Sequence, residues 1–101
     1  MIHYIIVKFN DEINEMRKDA IKNKEFKKEI EDIFFKLKDI EGISDIKVVE
    51  NIIDKPNRYD IIIKIDMKKD VLPIYDESAP HKEWKEKFGT LIKGKVIFDE
   101  E

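Results

Sequence analysis

Hydrophobic patterning along the 101 residues predicts an α+β domain, with a four-stranded antiparallel sheet carrying helices on one face. Three observations carry this expectation. Four short runs rich in isoleucine and aromatic residues read as strands: Ile2 to Phe9, Ile43 to Ile53, Tyr59 to Ile65 and Lys95 to Phe98. Apolar residues between the first and second runs, and between the third and fourth, recur at the period of an amphipathic helix. The second and third runs are joined by a short polar turn, as in a hairpin.

The first strand, Ile2 to Phe9, stops at Asn10-Asp11. Two helical stripes follow. Ile13, Met16 and Ala20 share one face, and Phe26, Ile30, Ile33, Phe34, Leu37 and Ile40 form a second, longer stripe. The stripes are out of phase, which predicts a bend or short loop at Lys22-Asn23-Lys24-Glu25. Gly42 ends this region at a position where a left-handed backbone costs glycine nothing. The second strand is expected from Ile43 to Ile53 and the third from Arg58 to Asp66. Between them, Asp54-Lys55-Pro56-Asn57 supplies turn chemistry, since proline presets φ and asparagine tolerates tight backbone. Arg58 and Asp60 are expected to form a cross-strand ion pair. Met67 to Tyr75 reads as a short helix whose Pro73 must lie near its start, because proline has no N–H to donate. His81 to Ile92 is a further amphipathic helix carrying Trp84, Phe88 and Leu91. Gly94 closes it, Lys95 to Phe98 is the last strand, and an acidic tail follows. The order β-α-β-β-α-β is the split βαβ, or ferredoxin-like, arrangement over residues 1–101 as a single domain.

Half-buried strands alternate apolar and polar side chains. Here Ile5-Ile6, Val48-Val49 and Ile61-Ile62-Ile63 break the alternation, so the sheet is oily on both sides. A chain this short has only enough mass to cover one side with helices. The expected cover for the other is a second copy, giving a homodimeric α/β barrel closed about a two-fold axis.

Charged residues make up 43% of the chain with a net charge of −3, a balance that argues against a general nucleic-acid binder. The paired aromatics of an RNA-binding sheet are missing from the central strands as well. Lysine and glutamate are abundant while glutamine and cysteine are absent, a composition expected of a protein from a hot source. Without cysteine there is no disulfide framework and no thiolate ligand or nucleophile. Two distant histidines and scattered carboxylates show no metal-ligand spacing. No phosphate loop, nucleophile elbow or dinucleotide fingerprint is present, so no cofactor is expected. Lys8 interrupts the first apolar run before it could serve as a signal peptide, and no segment approaches a membrane span of about 20 residues. A cytoplasmic location is the expectation.

Three segments together resemble the stress-responsive dimeric α/β-barrel (Dabb) family. The first is His3-Tyr4-Ile5-Ile6-Val7-Lys8-Phe9 with Asp11-Glu12-Ile13 behind it. The second is Gly42-Ile43 leading to Asn57-Arg58-Tyr59-Asp60. The third is Tyr75 and His81, six residues apart, with Trp84 beyond. The chain departs from the family pattern where Ser78-Ala79 replace a His-Pro pair, with Pro80 one place later, and its first helical region is longer. The resemblance implies a homodimer and a small apolar cavity between sheet and helices, with His3 lining it. It also implies that Ile2, Tyr4 and Ile6 face the partner.

His81 is the strongest site candidate, because imidazole serves as a general base near neutral pH. Its plain alternative is a helix-start residue that caps or packs. Tyr75 can donate a hydrogen bond to a carbonyl oxygen that develops charge; its alternative is a tyrosine packed under a helix. Trp84 and Phe88, four apart, are walls of a core or a pocket. The leading expectation is a homodimeric stress-response A/B barrel domain that binds a small hydrophobic molecule. The alternative is a polyketide-cyclase-like or monooxygenase-like enzyme with His81 and Tyr75 as catalytic residues and His3, Trp84 and Phe88 against the substrate.

Overall fold

The computed structural model describes every residue from Met1 to Glu101. Its elements are β1 (Ile2–Phe9), α1 (Asp11–Arg17), α2 (Ala20–Phe35), β2 (Ile43–Glu50), β3 (Ile61–Met67), α3 (Leu72–Asp76), α4 (Ala79–Phe88) and β4 (Ile92–Glu100). The sheet is antiparallel throughout, in the order β2-β3-β1-β4. This is the ferredoxin-like arrangement, with the hairpin pairing β2 to β3 and the two halves meeting at β1 and β3.

One face of the sheet makes the core. Ile5, Val7 and Phe9 of β1, Ile61, Ile63 and Ile65 of β3, and Ile46 and Val48 of β2 are buried there. They pack under Phe26, Ile30, Ile33 and Phe34 of α2 and Trp84 and Phe88 of α4, in one continuous cluster. The aromatic rings meet edge to face: Phe9 with Phe26, Phe26 with Phe88, Phe34 with Trp84. Such contacts add specificity of angle to area burial.

Local chemistry moves several boundaries away from the sequence expectation. The break in the first helical region falls at Lys18-Asp19, not at Lys22 to Glu25. The Asp19 carboxylate accepts the N–H groups of Ile21 and Lys22, and Asn10 caps α1 by accepting from Ile13. A side-chain cap decides where a helix starts more firmly than a phase change in its stripe. Ala20 therefore opens α2, exposed, and does not share the Ile13–Met16 face.

Strand β2 ends at Glu50 and β3 begins at Ile61, so Ile52, Ile53 and Arg58 lie in the connection. Asn51 folds that connection back, accepting from the Ile53 N–H and donating its amide to the Tyr59 carbonyl. The Asp60 carboxylate accepts the Phe9 N–H at 2.8 Å, and the Arg17 guanidinium stands 4.0 Å away. The expected Arg58–Asp60 pair does not form, because both residues leave the ladder and Asp60 turns to β1. Arg17 also donates to Asn14, Asn23 and Glu50, tying α1, α2 and the end of β2 together over the Phe9 ring.

Met67 is the last residue of β3, and a 3₁₀ turn at Lys69–Val71 leads into α3. Pro73 and Pro80 both sit in the first turn of their helices. Gly42 has φ 98°, and a Cβ there would lie 2.5 Å from Val71 Cγ2. Glycine is required at this turn by backbone and by space alike. The last helix begins at Ala79, ends at Phe88, and yields to a strand at Ile92 that runs to Glu100, beyond the expected Lys95 to Phe98. Its whole length pairs with β1, from Phe9 opposite Ile92 to Ile2 opposite Glu100.

The other face of the sheet carries no helix. Three rows cross it. Val49, Ile62, Ile6 and Val96 form an apolar row; Lys47, Lys64, Tyr4 and Phe98 form the next; Asp45, Asp66, Ile2 and Glu100 form the third. Ile2, Tyr4 and Ile6 thus lie on the face away from the helices, the face to which the resemblance assigns them. Val49, Val96 and Phe98 are 41%, 44% and 58% exposed.

Candidate functional site

The turn between α3 and α4 sets the geometry of the site. Ser78 caps α4 by accepting the His81 N–H at 3.3 Å, while its hydroxyl donates to the Tyr75 carbonyl at 2.7 Å. One small side chain therefore fixes Tyr75 on one side of the turn and His81 on the other. Their rings lie 4.6 Å apart. A serine does this because it can donate and accept at once.

His81 Nδ1 lies 2.9 Å from the Asp76 carbonyl. A carbonyl only accepts, so the proton sits on Nδ1 and the Nε2 lone pair is left free. Partial burial holds the imidazole below its ordinary pKa; the Asp76 carbonyl opposes this shift and nearby Lys85 and Lys95 add to it. His81 is accordingly a neutral acceptor at pH 7.

Tyr75 is 1% exposed, and its hydroxyl has no hydrogen-bond partner within the chain. Burial first, and the Asp76 charge second, push its pKa well above the usual range for a phenol. The group remains a protonated donor. A buried hydroxyl without a partner costs about 1–3 kcal/mol, so its retention needs a reason.

His3 faces the same space from β1. It is buried, its ring meets Tyr75 at 5.3 Å edge to face, and its Nδ1 lies 2.6 Å from Asp99 Oδ1. His3 and Asp99 are direct cross-strand partners on the inner face of β1 and β4. The carboxylate accepts from Nδ1.

These three side chains line a pocket of about 270 Å³ at the β4 edge of the core, with Trp84 as one wall. Ile5, Leu72 and Ile97 supply further apolar surface, and Asp76, Lys85, Lys95 and Asp99 supply charge. The space is therefore half polar, not the apolar cavity the sequence suggested. Phe88 does not line it: it stacks behind Trp84 at 5.1 Å and meets Phe26 in the core. Four residues on from Trp84 along α4 points it inward toward α2. Sequence reasoning missed Asp99, Lys85 and Lys95. Asp99 was legible in principle, since Ile97 and Asp99 keep the strand phase of β4, but the strand was ended at Phe98.

No family model and no curated protein matches the chain. Solved structures do. A Dabb-family protein with a ferredoxin-like fold from Mesorhizobium loti aligns with a TM-score of 0.71 at 13% identity, covering 99% of this chain and 93% of that one. A dimeric protein of unknown function and ferredoxin-like fold from Bacteroides fragilis aligns with a TM-score of 0.72 at 20% identity, with the same coverage of both chains. A dimeric ferredoxin-like protein of unknown function from Thermobifida fusca aligns with a TM-score of 0.70 at 14% identity, covering 96% and 85%. The chain thus has the ferredoxin-like fold that these three structures share, and two of the three are described as dimeric. No helix is long and apolar enough to cross a membrane.

Proposed function

We propose that this chain is a homodimeric, single-domain binding protein for a small, largely apolar molecule that bears a carbonyl group. The carrying observation is the Tyr75 hydroxyl, a buried donor with no partner in the chain at the wall of a pocket. A ligand carbonyl supplies the missing acceptor, while Trp84, Leu72 and Ile97 take its apolar body. Small-molecule sites are usually concave and preformed, with apolar walls and placed polar groups that fix orientation. The dimer is supported by the dimeric relatives in fold and by the uncovered face of the sheet. A cytoplasmic protein of a hot-living organism remains our reading of the composition.

The test is a thermal-shift and calorimetric titration with aryl ketones such as acetophenone and 2-hydroxyacetophenone. Wild type should bind and gain stability, and Tyr75→Phe should lose at least tenfold in affinity. Equal binding by both proteins would refute the role of the hydroxyl.

A second reading is supported by one tautomer. His81 has Nδ1 engaged by a carbonyl and Nε2 free, beside a phenol that donates. That is a base and a donor of the kind that removes a proton next to a carbonyl. In this reading, the cyclase-like or monooxygenase-like alternative, His81 accepts the proton and Tyr75 stabilises the enolate. Deuterium exchange into 2,4-pentanedione, followed by NMR, checks it: wild type should accelerate exchange and His81→Gln should not. Absence of acceleration by wild type leaves binding alone.

A further inference from the structure

The pocket around Tyr75 holds two cations that the chain leaves unengaged. Lys85 of α4 and Lys95 of β4 both line it. The chain makes ten ion pairs, and neither lysine belongs to one. The lysine ammonium groups that donate hydrogen bonds are those of Lys8, Lys18, Lys28, Lys36 and Lys93. Other lysines of the same two elements do find partners: Lys87 pairs with Glu83, and Lys93 with Asp11.

Helix and strand periodicity bring the two free cations to one place. His81, Trp84 and Lys85 stand at i, i+3 and i+4 on α4, which is one face of a helix. Lys95, Ile97 and Asp99 alternate along β4 opposite Val7, Ile5 and His3, on the inner face of the sheet. Asp99 does not serve Lys95. Four residues of extended strand set their backbones about 13 Å apart, and His3 occupies the Asp99 carboxylate at 2.6 Å. Asp76 is the remaining carboxylate of the lining, and it pairs with neither lysine. At His81 the charge of Lys85 outweighs that of Asp76, and Lys95 adds to it. An inward-pointing lysine also guards the edge of a sheet, which accounts for Lys95 but not for Lys85 on its helix. The pocket therefore has a buried hydroxyl donor in its depth and two exposed ammonium groups at its mouth.

We propose that the ligand of this pocket is a keto acid, with its carbonyl on the Tyr75 hydroxyl and its carboxylate between Lys85 and Lys95. The inference rests on the carbonyl-binding reading above and adds to it the charge of the ligand and the residues that select it. A carboxylate on an ammonium group makes hydrogen bonds roughly twice as strong as neutral ones. In a partly enclosed pocket that attraction is also screened less by salt than on an open surface. His81, a neutral acceptor, offers a carboxylate nothing, so selection falls to the lysines. Trp84 and Ile97 hold the apolar body of the acid and of a neutral ketone alike.

The experiment compares 4-acetylbenzoate with 4-acetylbenzamide, which has the same shape and no charge, by calorimetric titration. Wild type should prefer the acid by about tenfold or more. That preference should shrink between about 20 and about 500 mM salt. In Lys85→Gln/Lys95→Gln the ratio of the two affinities should fall to about one, and Lys85→Arg/Lys95→Arg should restore it. Equal binding of acid and amide by wild type would overturn the keto-acid assignment and leave the carbonyl site standing. A preference that survives in the glutamine variant would overturn the role of the lysines. Failure of acid, amide and acetophenone alike to bind wild type would remove the carbonyl-binding reading itself. Should the glutamine variant fail to fold, the salt dependence in wild type decides: an acid preference unchanged by salt would overturn the proposal.

Discussion

Two opposing demands meet at Tyr75. Its ring fills the space between α3, His3 and His81, while its hydroxyl is buried without a partner. Removing only the oxygen should separate the two. Tyr75→Phe is expected to stabilise the free protein by about 1 kcal/mol, because an unmatched buried hydroxyl disappears and the ring remains. For a domain of this size that raises Tm by about 4–8 °C. A variant that melts higher yet binds ketones more weakly is the mark of a residue kept for function at the expense of stability. A lower Tm would show that the hydroxyl is satisfied after all. His81 adds a pH term. Its folded pKa lies below the unfolded value because burial disfavours the imidazolium. Between those two values the unfolded chain binds more protons, so stability rises with pH there and falls as the solution is acidified below about 6.5. His81→Gln should lose less stability than wild type between pH 8 and pH 5, read as urea midpoints. An identical loss in both would place the titration elsewhere.

At the scale of elements, the α3–α4 turn is where fold and site are the same object. Ser78 caps α4 and holds the Tyr75 carbonyl. Ser78→Ala should cost about 1 kcal/mol as a lost cap, and should also weaken ketone binding, because both ring-bearing residues hang on that turn. Ser78→Thr keeps an acceptor and a donor and should restore both properties; thermal melts and titration of the three proteins decide. The four strands and the amphipathic helices were legible in the sequence because periodicity reports burial directly. Boundaries were not, where side chains override the pattern. Asp19 moved a helix start, Asn51 ended a strand early by folding its own backbone, and β1 drew β4 out to Glu100. The site followed the same rule. His3, Tyr75, His81 and Trp84 were readable as chemistry-bearing types in a resembling order, and the structure brings all four to one pocket. Asp99 was hidden by a strand end misplaced by two residues. Phe88 shared the helix face of Trp84 but not its end, and helical spacing alone cannot tell a pocket wall from the core behind it.

At the scale of the molecule, the sheet has one face under helices and one that is uncovered. The uncovered face keeps Val49, Val96 and Phe98 about half exposed, which is unusual for aromatic and β-branched residues in adjoining rows. Burying each remaining half contributes about 1 kcal/mol, so covering both subunits' faces far outweighs the few tenths contributed by exposed ion pairs such as Lys28–Asp32. If folding and pairing are coupled in this way, stability must depend on protein concentration. A hundredfold increase in subunit concentration should stabilise the dimer by about 2.7 kcal/mol. For a cooperative unit of two subunits that is a rise in Tm of about 5–10 °C, measurable by calorimetry between about 1 and about 100 μM. Ile62→Asp, which sets a carboxylate in the apolar row, should abolish the concentration dependence and leave a lower Tm at every concentration. A wild-type Tm that does not move with concentration would mean that each subunit folds alone with this face in water.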